Sequence, residues 1–332
     1  MGFETQDVER KVFSILKILS NSQEAVGARV IAHRLKDLGI ELGERAVRYH
    51  LKLMDERGLT QLVGRDGRLI TESGLEELKS ALVRDKVGFV ISRIELLAVR
   101  TNFDSDSHTG LVPVNVSFFL KEEFQQALQI MSPIFSTGLC VSELVAVAQE
   151  GQIIGELTVP EGKVALATVC SIIVNGSLLK AGVPMDSKFG GILEIKNREP
   201  LRFVELIQYA GSSFDPSEVF IRAKMTSVTE VANSGNGKIL ANFREIPAIC
   251  RPTADEVVVK LRQAGLAGLL VMGNTSEPVC ETPVGINRIG IILIGGLNPV
   301  AATEEAGFKV ENHAMSAVVE YQNLVKFEKL LR

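Results

Sequence analysis

The string Glu44-Arg45-Ala46-Val47-Arg48-Tyr49-His50-Leu51-Lys52 gathers two guanidiniums, a phenol and an ammonium within nine consecutive residues. If it is helical, Val47, Leu51 and Met54 share one face while Arg45, Arg48, Tyr49 and Lys52 share the other. The apolar face can pack on neighbouring helices. The polar row suits base edges in a DNA major groove and the phosphates beside them. A solvated basic helix face is an equally good reading of these nine residues in isolation. The elements that must position them decide between the two.

Upstream, Val8, Val12, Ile15, Leu16 and Leu19 repeat at helical spacing and end at Ser20-Asn21-Ser22. A second amphipathic run, Val26 to Leu38, closes at Gly39, and the loop from Ile40 to Gly43 turns sharply into the third helix. Downstream, Leu59 to Val63 and Arg68 to Thr71 are short apolar strands around Gly64-Arg65-Asp66-Gly67, which reads as a hairpin. Glu72 to Val83 is a trailing helix. Helix, helix, turn, helix, hairpin is the order of a winged helix-turn-helix, here residues 1–83, with Arg65 and Arg68 on the wing tip. The expected DNA-reading residues are therefore Arg45, Arg48, Tyr49, Lys52, Arg65 and Arg68. Residues 1–83 hold 13 Lys/Arg against 13 Asp/Glu, so one module has modest non-specific affinity and a two-fold dimer is expected to compensate.

With 332 residues, 46% of them hydrophobic, the chain can hold a substantial second domain, expected over 84–332. The net charge of −4 gives no global basic field. Met1 to Thr5 lacks the pattern of a signal peptide, and apolar stretches such as Ile289 to Leu297 fall far short of a membrane span, so a soluble cytoplasmic protein is expected. Cys140, Cys170, Cys250 and Cys280 stand at least 30 residues apart, without the paired spacing of a zinc site. No metal and no cofactor is expected. Cys170 is the one tempting nucleophile, because a thiol at a helix N-terminus has a lowered pKa. His108 and His313 are the only histidines beyond the winged helix, thin material for a catalytic centre.

The second region repeats itself. Lys163 to Ser171, followed by a short run to Lys180-Ala181-Gly182-Val183, matches Arg288 to Gly296, followed by an equal run to Glu305-Ala306-Gly307-Phe308, at an offset of 125 residues. Each reads as an apolar strand, a turn of small residues, a short helix and an Ala-Gly stop. Upstream, Gly110 to Val116 resembles Gly237 to Phe243, each followed by an amphipathic helix, around Glu122 to Met131 and around Ala254 to Gln263. The expected fold is multidomain: the winged helix-turn-helix, then an α/β regulatory domain built from two related halves, about 86–210 and 211–325. A similarity common to any two strand–turn–helix units remains open.

Several strings in this region also resemble a known family, the nitrogen repressors (NrpR). They are Thr168-Val169-Cys170-Ser171 with Asn175-Gly176, Leu179 to Pro184, Phe189 to Glu194, Met225 to Val228, Ile239 to Pro247, and Gly295-Gly296-Leu297-Asn298-Pro299. The resemblance implies a homodimeric repressor of nitrogen-assimilation genes that binds palindromic operators and is released by 2-oxoglutarate. The chain has one copy of the regulatory region where some relatives carry two, which leaves open a partner chain supplying another. Two turns of small residues meeting at a pseudo-two-fold axis would cradle the two carboxylates of such an effector through free backbone N–H groups. On this reading the effector residues are Cys170, Ser171, Lys180, Arg202, Gly295, Gly296 and Asn298. Response to another small anionic metabolite, an enzyme with a DNA-binding appendage, and a purely protein-binding second domain remain alternatives.

Overall fold

The computed structural model describes residues 2–22, 24–37, 40–64, 66–80, 88–266 and 268–331. The chain divides into two compact units, 1–87 and 88–332. The helix stop at Gly39, the wing residue Arg65 and the expected boundary at residue 83 lie outside the described residues.

In the first unit, α1 (Gly2–Ser20), α2 (Ala28–Asp37) and α3 (Glu44–Glu56) precede a hairpin of β1 (Thr60–Val63) and β2 (Gly67–Ile70), and α4 (Glu72–Ser80) follows. The helices meet through the predicted stripes: Val12, Ile15, Leu16 and Leu19 of α1, Ile31 and Leu35 of α2, and Val47, Leu51 and Met54 of α3 form one buried cluster. The hairpin register pairs Thr60 with Ile70 and Val63 with Gly67. Val26, expected at the start of the second helix, instead forms an isolated bridge with Arg68, its N–H donating to the Arg68 carbonyl at 3.0 Å. That bridge adds a third strand segment to the wing base, and α2 begins two residues later.

The second unit opens with α5 (Phe89–Arg100). It continues with β3 (Leu111–Leu120), α6 (Phe124–Ser136), β4 (Leu144–Gln149), the small hairpin β5 (Ile153–Ile154) and β6 (Leu157–Thr158), β7 (Lys163–Val169), α7 (Ile172–Lys180) and β8 (Asp186–Lys196). After β9 (Glu199–Gln208), α8 (Pro216–Arg222) and α9 (Val228–Ser234), the same succession returns. It consists of β10 (Gly237–Pro247), α10 (Arg251–Gln263), β11 (Leu269–Thr275), β12 (Arg288–Ile294), α11 (Asn298–Glu305) and β13 (Glu311–Glu320), with a two-residue β14 (Val325–Lys326) at the end. The helices α7 and α11 both stop at a left-handed glycine, Gly182 at φ 78° and Gly307 at φ 97°.

Two antiparallel five-stranded sheets result, ordered β13-β3-β7-β4-β14 and β11-β12-β10-β8-β9. The last strand of each succession sits in the other's sheet. β8 follows α7 but pairs with β10, and β13 follows α11 but pairs with β3. The central strands are apolar on both faces: Ile289, Ile291, Ile292, Leu293 and Ile294 of β12 are all at most 1% exposed. One continuous buried cluster runs through both sheets. No helix among the described residues is long and apolar enough to cross a membrane.

Candidate functional site

On α3 the buried residues are Val47, His50, Leu51 and Met54, so the opposite face is free. Arg45, Arg48, Tyr49 and Lys52 are all exposed, and Tyr49 keeps 63% of its surface. Arg45 has no ion pair among the described residues. Arg48 reaches back to Glu44 at 2.5 Å, and Lys52 stands 3.9 Å from Glu56, both exposed i,i+4 pairs. Such pairs are worth about 0.3–0.5 kcal/mol, so a phosphate or base edge can displace them. The row can act as the sequence suggests.

Arg68 has a different environment from a wing tip. It lies in β2, with its Nε 2.8 Å from the Asp55 carboxylate at the end of α3, and its side chain is only 17% exposed. Asp55 also accepts from the Thr60 hydroxyl at 2.5 Å. The Asp55–Arg68–Thr60 group ties the wing to the third helix, which fixes the exposed face of α3 relative to the hairpin and leaves Arg68 already paired. Nothing in the local spacing of Asp55 signals this role, because its partners lie five and 13 residues away.

In the second unit, the chain leaves β7 at Val169, turns at Cys170-Ser171 and enters α7. A chain of polar side chains converges on this turn. The Asn242 amide of β10 donates to the Ser171 hydroxyl at 3.2 Å, and its carbonyl oxygen accepts from the Tyr209 hydroxyl. The Asn175 amide of α7 donates to Ser187 Oγ of β8 at 3.1 Å. The Arg244 guanidinium of β10 also donates to Ser187 Oγ and lies 5.8 Å from the Tyr209 ring centroid. All of these side chains are buried, and Arg244 is 1% exposed. Burial lowers the Arg244 pKa and raises that of Tyr209. Burial also pushes the Cys170 thiol up to about 11, which overturns the expectation of a helix-activated nucleophile.

Cys170 and Ser171 thus stand in this cluster, and Gly296 of the second turn is brought against them. A Cβ on Gly296 would lie 2.5 Å from the Val169 carbonyl oxygen and 3.4 Å from Cys170 Cα. The other expected effector residues have different work. A Cβ on Gly295 would lie 2.5 Å from Leu240 Cβ, so both glycines serve close packing of the protein on itself rather than open space for a ligand. Asn298 is fully buried, and its amide both accepts from the Leu240 N–H at 2.9 Å and donates to the Leu240 carbonyl at 3.1 Å. Lys180 is exposed at the far end of α7, about 13 Å along the helix from its start at a rise of 1.5 Å per residue. Arg202 is an exposed residue of the edge strand β9, 3.0 Å from Glu194. The residue missed from the sequence is Arg244, whose one local signal is a cation between Phe243 and Glu245 in the mostly apolar strand Ile239 to Ile246.

A family profile described as "NrpR regulatory domains NRD1 and 2" matches residues 87–326, and one described as "Ribonuclease R winged-helix domain" matches residues 13–78. The chain is 40% identical over 317 residues to a global nitrogen regulator, NrpRI, of Methanosarcina mazei, covering 96% of this chain and 98% of that one. It is 34% identical over 323 residues to the global nitrogen regulator NrpR of Methanocaldococcus jannaschii, covering 97% of this chain and 56% of the relative. The crystal structure of a nitrogen repressor-like protein from Methanococcus jannaschii superimposes with a TM-score of 0.61 at 27% identity, over 72% of this chain and 98% of that one. A regulatory-domain match over most of the chain, behind a winged helix and with close relatives named as regulators, is a regulator's pattern rather than an enzyme's. The chain belongs to the NrpR family of nitrogen regulators.

Proposed function

We propose that this protein represses nitrogen-assimilation genes by reading palindromic operator DNA as a homodimer, and that 2-oxoglutarate releases it. The observation that carries the reading is the exposed row Arg45, Arg48, Tyr49 and Lys52 on a third helix whose other face is locked into a winged-helix core. In this reading α3 enters the major groove, its arginines meet base edges or phosphates, and Tyr49 packs against the groove wall. A module with balanced charge needs a second copy for useful affinity, so two half-sites about one helical turn apart, or a multiple of that, are expected. A partner chain with a further regulatory domain is compatible with the 56% coverage of the longer relative.

The regulatory domain is read as two related halves that exchange their last strands. Equivalent registers support this. Asn115 opposes Thr168 in one sheet as Asn242 opposes Leu293 in the other. Ser117 opposes Asn312 as Arg244 opposes Ser187. The Cys170-Ser171 turn, where the halves touch, is the proposed place of effector binding. An operator gel shift at stated salt, with and without 2-oxoglutarate, tests the function. Retarded operator DNA freed by 2-oxoglutarate supports it, whereas an unchanged complex over millimolar 2-oxoglutarate removes the effector from the reading.

A further inference from the structure

Glu44 places a carboxylate at the edge of the cationic row of α3. It is the first residue of the helix, beside Arg45 and one turn before Arg48. On a surface that meets DNA, a negative charge weakens the attraction to every phosphate within reach, whatever the sequence. An exposed i,i+4 pair contributes little to stability, so pairing with Arg48 does not by itself offset that loss.

The geometry of the pair shows what it leaves free. One guanidinium nitrogen, Arg48 Nη2, meets one carboxylate oxygen, Glu44 Oε1, at 2.5 Å. Arg48 Nε and Nη1 and Glu44 Oε2 have no other partner among the described residues, and the two side chains keep 68% and 42% of their surface. The other carboxylate of this stripe, Glu56, stands 3.9 Å from Lys52 towards the far end of the helix, and an ammonium lacks the planar fork of a guanidinium.

A carboxylate only accepts and a guanidinium only donates. Held together, they present two donors followed by an acceptor. In the major groove a G·C pair presents the complementary row, acceptors at guanine N7 and O6 and then the cytosine N4–H donor. An A·T pair presents acceptor, donor, acceptor, so the second Arg48 donor would face the adenine amino group and Glu44 would face thymine O4. The N-terminal residues of a recognition helix are the ones that reach base edges.

We propose that Glu44 is a specificity-determining residue, and that the Glu44–Arg48 pair reads one G·C base pair in each half-site as a unit. Arg48 donates to guanine N7 and O6 through the guanidinium edge that Glu44 leaves free, while Glu44 accepts from cytosine N4 of the same base pair. An arginine alone fits any guanine or phosphate, and the carboxylate makes the contact discriminating. Its repulsion of phosphate acts in the same direction, because it lowers the affinity for all other sequences. This assignment rests on the DNA-reading function proposed above and names a base pair which that function selects.

The test is selection of bound duplexes from a fully random pool, at one fixed salt concentration, by the full chain and its Glu44→Ala, Glu44→Asp and Arg48→Ala variants. Affinities are then measured on the enriched duplex and on its single-base-pair substitutions, with melting temperatures in parallel. Wild type should enrich a two-fold site with an invariant G·C pair at one position of each half-site, and replacing that pair by A·T should cut affinity at least about fivefold per half-site. Glu44→Ala should lose most of that discrimination while binding random duplexes more tightly than wild type. Glu44→Asp keeps the charge at the helix start but draws the carboxylate back by one methylene, so it should melt like wild type and still lose discrimination at the same position. Arg48→Ala should lose it there too. If Glu44→Ala melts lower and keeps the wild-type preference at every base pair, Glu44 is only a helix-start charge and the assignment is overturned, as it is if the lost preference falls on an A·T pair. A wild-type chain that enriches no sequence removes the DNA-reading function and Glu44's role with it. Enriched sites that the Glu44 variants select equally well remove Glu44's role alone.

Discussion

Replacing Asn298 by Ala separates a structural residue from a ligand contact. Its amide is fully buried and bonds both backbone groups of Leu240, which is itself 1% exposed. The two losses are unequal. The Leu240 carbonyl keeps a second donor, the Gly295 N–H at 2.8 Å, so losing the Asn298 bond removes a net contribution of about 0.5–1.5 kcal/mol. The Leu240 N–H faces Asn298 Oδ1 at the start of α11, and once orphaned and buried it costs about 1–3 kcal/mol. Together the expected destabilisation is about 2–4 kcal/mol, which for a domain of this size lowers Tm by roughly 4–16 °C. Asn298→Asp should be worse, since a carboxylate accepts from the N–H but repels the Leu240 carbonyl. Urea unfolding followed by circular dichroism measures the change, and the midpoint should move while the slope stays constant. A variant within about 0.5 kcal/mol of wild type, the range of an indifferent surface substitution, would refute the structural role. It would return Asn298 to the list of effector contacts.

Arg45→Ala should weaken operator binding by about 1–3 kcal/mol per half-site if the guanidinium meets a base edge, whereas Lys52→Ala should weaken all sequences alike and shallow the salt slope by about one unit; filter binding on specific and random duplexes over a salt series distinguishes them. Arg68→Met should lower the stability of the first unit by breaking its half-buried pair with Asp55, with an unchanged salt slope on non-specific DNA; a reduced slope would place Arg68 on phosphate after all. Glu218 has its pKa raised to about 7, first by burial and then by Asp215. A carboxyl whose folded pKa exceeds its unfolded one contributes stability that is complete below the unfolded value and is lost as pH rises through about 7. Unfolding midpoints should therefore fall between pH 5 and 8, and Glu218→Gln, which keeps an acceptor for the Ala314 N–H, should flatten that part of the profile.

The winged helix was legible from local pattern because each of its parts carries a short-range signal. A 3.6-residue stripe fixes which face of α3 is buried, and the hairpin is set by two apolar runs around a glycine-bounded turn. The same holds for β7 with α7 and β12 with α11, where continuous apolar runs followed by small residues and an Ala-Gly stop specify strand, turn and helix. What such signals cannot specify is which distant strand completes a sheet. An apolar strand such as β8 or β13 satisfies its hydrogen bonds equally well in either sheet, so the sheet it joins was decided by tertiary packing. The candidate effector residues divided along the same line. Cys170 and Ser171 lie at the turn expected of them because the turn between a strand and a helix is a local event. Lys180 and Arg202 were misplaced because a charge in the sequence has no address in space, and one lies at the far end of a helix while the other pairs with Glu194 at a sheet edge. Arg244 was missed because its neighbours Ser187 and Tyr209 stand 57 and 35 residues away in the chain. Periodicity decides which side of an element faces inward; only the assembled sheets decide what that side meets there, and so whether a buried charge finds a partner.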